Sequence, residues 1–329
     1  MKISFLKYKS LTLAGAALLF LTTACSSDDD ADDLGNWITS TVFDGSPRSS
    51  SVAFVMGNYA YSGTGYNGDD YLSDFWQYDI QGQYWVQKAD VPGEARSSAV
   101  AFTVNGYGYI GTGYTGTTEL KDFYKYDATA NSWTPIADFG GTKRRAGVGF
   151  NSSAYGYVGS GFDGDNDKKD FWKYIPETDT WQEVLGFGGN KRREAVTFTI
   201  GENVYFGTGS SNSIYLDDFW AFNTTSETWT RLKDIDDNDD YSIARANAVG
   251  FAIGSYGYIS GGDSNTAVWE YNPATDLWTK KTVFEGAERQ DAVAFSTGDR
   301  GFVLLGRSGN YYFDDMFEFR PFEKYDDED

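Results

Sequence analysis

The chain has 329 residues, with 27 Lys and Arg against 48 Asp and Glu, a net charge of -21, no histidine and one cysteine. So acidic a balance makes nucleic acid an unfavourable partner, because phosphate contacts need clustered cations, and the lack of imidazole removes His-dependent triads and zinc hydrolase sites. The 38 Gly, only 6 Pro and an 18% aromatic share suit a strand-rich fold with many tight turns.

The first element in chain order is an address. Lys2, Lys7 and Lys9 form a basic start, and Leu11 to Leu21 is an apolar run too short to span a bilayer comfortably. Residues 1–24 therefore read as a lipoprotein signal peptide. The run ends in Leu21-Thr22-Thr23-Ala24-Cys25, which resembles a lipobox, although Thr22 stands where Leu is usual. Cys25 is the expected lipidation site, and residues 25–35 are an acidic tether too poor in apolar groups to pack. Ser27-Asp28-Asp29-Asp30 resembles the signal that sends lipoproteins of some Gram-negative bacteria to the outer face of the outer membrane. The expected location is the outer membrane, lipid-anchored and facing the cell exterior.

Beyond residue 35 the chain repeats. Tryptophans recur at Trp37, Trp85, Trp133, Trp181, Trp229 and Trp278, at spacings of 48 or 49. An arginine follows, at Arg48, Arg96, Arg144, Arg192, Arg245 and Arg289, and then a phenylalanine, at Phe54, Phe102, Phe150, Phe198, Phe251 and Phe295. Next comes a glycine pattern, Gly63-Thr64-Gly65 in the first unit, and an Asp-aromatic strand beginning at Asp74, Asp122, Asp170, Asp218, Ala267 and Asp315. Each unit thus offers four short runs of β-branched and aromatic residues separated by Gly, Asn and Asp, the pattern of a four-stranded antiparallel sheet. A ring of such sheets buries faces that one sheet cannot bury alone. The sixth unit stops before its tryptophan, whereas Trp37 has no unit before it, so the N-terminal strand is expected to complete the last blade.

The order of arginine, apolar strand, glycine pair, aromatic-Asp strand and tryptophan resembles Kelch repeats over residues 36–322. The resemblance implies an all-β, six-bladed Kelch-type propeller closed by the N-terminal strand, followed by an acidic tail at 323–329. The sequence departs from the family at the glycine pair, which is mostly Gly-Thr-Gly here. Kelch propellers include copper radical oxidases, but those sites need imidazole ligands and a crosslinked cysteine that this chain lacks. They also include sialic acid mutarotases, which keeps a mutarotase-like or lyase-like carbohydrate enzyme as the alternative to a binding module.

Two textual motifs carry less than they suggest. Gly63 to Gly68, Gly111 to Gly116 and Gly159 to Gly164 match a dinucleotide fingerprint, but acidic turns and a strand follow them where a helix N-terminus is required. Asp163, Asp165 and Asp167, and likewise Asp234, Asp236 and Asn238, are weak calcium candidates without the glycine and final acid of an EF-hand loop. No cofactor or metal is expected.

Strand alternation brings the loop after the glycine pair and the connection into the next blade to one face of the ring. There, Arg48, Arg96, Arg144, Arg192 and Arg289 are expected to pair with Asp74, Asp122, Asp170, Asp218 and Asp315 in a structural ring that ties the blades together. Arg245, whose repeat partner is Ala267, cannot make that bridge; the acids of the lengthened connection from Asp234 to Ala244 either neutralise it or help surround a ligand, and if free it is the candidate contact for a carboxylated sugar. Tyr66, Tyr71, Tyr114, Phe162, Tyr215 and Tyr312 break the repeat in these loops and are the other ligand-binding candidates, since aromatic faces and short acceptors suit a sugar. The expected partner is an extracellular glycan or a surface protein.

Overall fold

A computed structural model of the chain describes Met1, residues 34–235, 242–263 and 265–326, and Glu328. Residues 2–33, which hold Cys25 and nearly all of the expected signal peptide and tether, lie outside these residues, as do Asp236 and Asn238.

The alternating runs form strands where the turn residues allow them to. In blade 1, Val52–Met56, Tyr59–Gly63, Phe75–Asp79 and Tyr84–Lys88 pair in that order from the axis outward, and we call these positions a to d. Blades 2 to 5 repeat the pattern, with a strands at Val100–Val104, Val148–Asn151, Val196–Ile200 and Ala248–Ile253. Blade 6 takes its first three strands from Val293–Ser296, Gly301–Leu304 and Met316–Lys324, and its d strand from Leu34–Thr39. Trp37 faces Phe319 across that ladder, and Leu34 faces Lys324. The pairing carries the blade past the expected boundary at residue 322. The molecule is a six-bladed β-propeller closed by its N-terminal strand.

The hydrophobic core lies between blades. Phe102, Tyr109 and Phe123 of blade 2 pack with Val158, Tyr174 and Trp181 of blade 3, and equivalent clusters fill the other junctions. Each repeat phenylalanine leans on the b strand of the next blade. Phe102 meets Gly156, where an added Cβ would fall 2.1 Å from its ring, so a side chain there would separate the two sheets.

Polar ties run between blades as well. The N–H of the last glycine in each pattern donates to the carbonyl of the next blade's arginine, from Gly65 to Arg96 at 2.8 Å through Gly306, the single glycine of the sixth unit, to Arg48 at 2.8 Å, which closes the circle. The middle residue of the pattern has a left-handed backbone, with φ of 61° at Thr64 and 58° at Thr112. Glycine would adopt that conformation without strain, and Gly261 does so in blade 5.

Candidate functional site: the channel mouth

The repeat arginines are scaffold. All six are 0–2% exposed. Arg48 meets both oxygens of Asp74 at 2.5 and 2.7 Å, Arg96 those of Asp122 at 2.7 and 2.8 Å, and Arg144 those of Asp170 at 2.9 and 2.8 Å. Arg289 holds Asp315 at 2.5 and 2.9 Å, and Arg192 bonds Asp218 through one oxygen. Burial works against the charge of Asp74 and Asp170, yet Arg48 and Arg144 hold both carboxyls below their ordinary range. Each pair links the start of strand a to the start of strand c within one blade. The ion pairs therefore stiffen blades internally, and the glycine N–H bonds supply the link to the neighbour.

Arg245 is not free at the mouth. It is 2% exposed, and its guanidinium donates to the carbonyls of Ile243, Gly261, Ala267 and Ser242 at 2.9–3.2 Å. Desolvation pulls its pKa down to about 10. Losing the repeat aspartate moved its partners to backbone carbonyls, and a ligand on the loop face does not reach it.

What does surround the mouth is the residue two places after each arginine. Ser50, Ser98, Ala146, Glu194, Asn247 and Asp291 line one small cavity of about 110 Å³. All six have φ between 51° and 58°. Bonds from Ser98 N–H to Ser50 C=O (2.8 Å), Ala146 to Ser98 (2.9 Å), Glu194 to Ala146 (2.9 Å), Asp291 to Asn247 (3.1 Å) and Ser50 to Asp291 (2.8 Å) join them into a collar. The strained backbone recurs even at Ala146, so it belongs to the collar's geometry, and only the side chains differ from blade to blade. A space of about 110 Å³ holds roughly three or four waters.

The two halves of the rim differ chemically. From blade 6 to blade 4 runs a belt of rings and guanidinium groups. Tyr312 lies 6.0 Å from Tyr66, Tyr66 lies 4.8 Å from Tyr71, and Tyr71 lies 5.9 Å from Tyr114. Arg145 then stacks over Tyr114 at 4.1 Å and Phe162 at 5.2 Å, and Arg193 covers the same Phe162 at 3.9 Å. Glu119 and Asp167 hold the two guanidinium groups at 3.2 and 2.7 Å. The structure thus brings together Tyr66, Tyr71, Tyr114, Phe162 and Tyr312. Tyr215 stands apart on a hairpin of Ser210–Ser211 and Ile214–Tyr215, and its hydroxyl donates to Asp263 at 2.8 Å.

The other half is polar. Asp263 also accepts from Asn247 at 2.8 Å, and Gln290, with its amide turned to satisfy both neighbours, donates to Asp263 at 2.8 Å and accepts from Arg307 at 2.9 Å. Arg307 bonds Asp291 at 3.0 Å, and Ser210 donates to Glu194 at 3.1 Å. Burial, with the charges of Asp291 and Asp263 nearby, pushes the Glu194 carboxyl up. Burial also raises Asp291, assisted by Asp263 and opposed by Arg307. Sequence reasoning missed Glu194, Asp263, Asp291 and Arg307. Aligning the six units on the arginine and reading two residues on would have exposed Glu194 and Asp291 as the acids of a column otherwise filled by Ser, Ala and Asn.

Three of the calcium candidates, Asp163, Asp167 and Asp234, make other contacts. Asp163 accepts the N–H groups of Asp165 and Asn166 and bonds Lys168 at 2.8 Å. Although burial acts against its charge, these contacts hold its carboxyl down to about 2. Asp167 is taken by Arg193, and Asp234 by Arg231 at 2.8 Å. Among the described residues no three acids converge on one point.

No family model matches the chain, and no curated protein matches it. Among solved structures it is similar to YjhT, with a TM-score of 0.73 and 15% identity, over 84% of this chain and 96% of that one. At that identity the likeness is one of fold, and it places this chain among the six-bladed β-propellers.

Proposed function

We propose that the protein is a cell-surface binding module, a Kelch-type propeller held to the outer membrane through Cys25, that recognises an extracellular glycan on its loop face. The observation that carries this reading is the divided rim: an unbroken aromatic belt facing a half-circle of carboxylate, amide and hydroxyl groups. Sugars present C–H faces that pack on rings and hydroxyls that need short acceptors and donors. A surface protein of a nutrient-capture complex is the alternative occupant of the same face. The test is a glycan array with a Cys25→Ala chain, which should also leave the membrane fraction. Binding to glycans and its loss in the double variant Tyr66→Ala, Tyr312→Ala, with melting unchanged, supports the reading. Capture of a protein with no glycan retained moves it to the alternative.

A second reading rests on Glu194 and Asp291. Carboxyls raised by burial keep a proton closer to neutrality, as a general acid in sugar chemistry requires. Under this reading the rim is the site of a mutarotase-like or lyase-like enzyme. Exchange of sugar anomers followed by NMR, abolished in Glu194→Gln, would favour it, and exchange at the uncatalysed rate would remove it.

A further inference from the structure

A further cavity on the loop face lies away from the axis. A cleft of about 800 Å³ opens between blades 3 and 4, bordered by Thr142, Lys168, Lys169, Trp172, Asn190 and Lys191. Its size lies within the range of about 300–1,000 Å³ common for small-ligand sites. Its charge is the opposite of the molecule's. The two acids that face it, Asp167 and Asp170, are each neutralised by an arginine, Arg193 at 2.7 Å and Arg144 at 2.8 Å. Lys168 is paired with Asp163. Lys169 and Lys191 have no carboxylate within 4 Å among the described residues, so two ammonium groups remain uncompensated on a chain of net charge -21.

The cleft is also a built surface. The N–H of Trp172 is tied to Asp170 at 2.8 Å, which fixes the plane of the ring. Gly140 and Gly141 lie so close to it that an added Cβ would fall 2.6 and 2.9 Å from the indole. The neighbouring cleft between blades 2 and 3, about 640 Å³, serves as an internal contrast. There Glu119, Asp122, Asp138 and Asp163 are paired with Arg145, Arg96, Lys121 and Lys168, which leaves Asp165 to offset Lys143, so no excess of ammonium groups remains. The blade 3–4 cleft shares a wall with the mouth, because Asp167 lines it while holding the Arg193 that covers Phe162.

We infer that this cleft is an anion-accepting subsite that takes carboxylate-bearing sugar units of an acidic glycan, with Lys169 and Lys191 meeting the carboxylates and Trp172 the sugar face. This rests on the reading of the loop face as a glycan surface and narrows its ligand class to uronate-type chains. Ammonium groups at the rim of a cleft act as screened point charges, so the effect is salt-dependent.

The experiment is calorimetry on the Cys25→Ala chain with oligogalacturonate and with a neutral oligosaccharide of equal length. Both lysines are exposed, so Lys169→Gln, Lys191→Gln should melt as the parent does. The expected result is tighter binding of the uronate, weakened roughly tenfold in the double variant and reduced by high salt, with the neutral sugar unaffected. Equal affinity of both sugars for the parent chain, or an unchanged uronate affinity in the variant, overturns the inference while leaving the glycan reading standing. Binding of neither sugar removes both.

Discussion

Trp37 is the point at which the ring's stability is most exposed to test. It is fully buried, with Phe284 at 4.8 Å edge-on and Phe319 at 4.6 Å, in a strand that reaches blade 6 from the other end of the chain. Truncating a buried Trp to Ala costs about 3–5 kcal/mol, set against a total stability of about 5–15 kcal/mol for a folded domain. If the closure couples every blade, the loss is felt by the whole molecule. At about 2–4 °C per kcal/mol, Trp37→Ala should lower the melting temperature by roughly 6–20 °C in a single cooperative transition. Trp37→Phe is the control. Its indole Nε1 has no hydrogen-bond partner among the described residues, so Phe keeps the ring contacts and surrenders no bond seen there, and about 1–2 kcal/mol is expected from lost volume. Far-UV circular dichroism follows the unfolding of both variants. A Trp37→Ala protein melting within about 1 °C of the parent would falsify the argument that the N-terminal strand holds the circle.

Three further outcomes follow from the buried charges. Arg144→Ala strands Asp170 and the Ser160 carbonyl and should cost about 3–5 kcal/mol in thermal or denaturant unfolding; Arg144→Lys should not restore it, because one ammonium cannot span both oxygens. Arg245→Ala should lower the melting temperature but leave the affinity for any loop-face glycan unchanged at matched salt, and a loss of affinity in the folded variant would return Arg245 to the site. Glu194 has a folded pKa above its unfolded value, so its contribution to stability is fully present below the ordinary carboxylate pKa and is lost as pH rises through the folded value. Melting curves of Glu194→Gln should therefore match the parent near about pH 4 and exceed it near about pH 7; the reverse order would refute the burial argument.

The tryptophan period and its companion landmarks determined the architecture before any coordinate was known. Six near-identical units must make near-identical contacts, so Trp, Arg, Phe and Asp at fixed spacing specify strand order, blade number and the ring that the incomplete sixth unit shares with Trp37. The same regularity concealed the rim. Glu194, Asp263, Asp291 and Arg307 come from three blades and meet because the a strands converge on one axis, which places side chains of different repeat units side by side. Arg245 shows the limit from the other direction. Its missing aspartate suggested a free cation, but a guanidinium at the foot of a buried strand cannot remain without acceptors, and only the folded backbone could show that four carbonyls stand within its reach. Periodicity is a property of local contacts and is written along the chain. The charge and shape of a mouth formed where six blades meet depend on which side chains the curvature brings together, and that was decided by the tertiary structure.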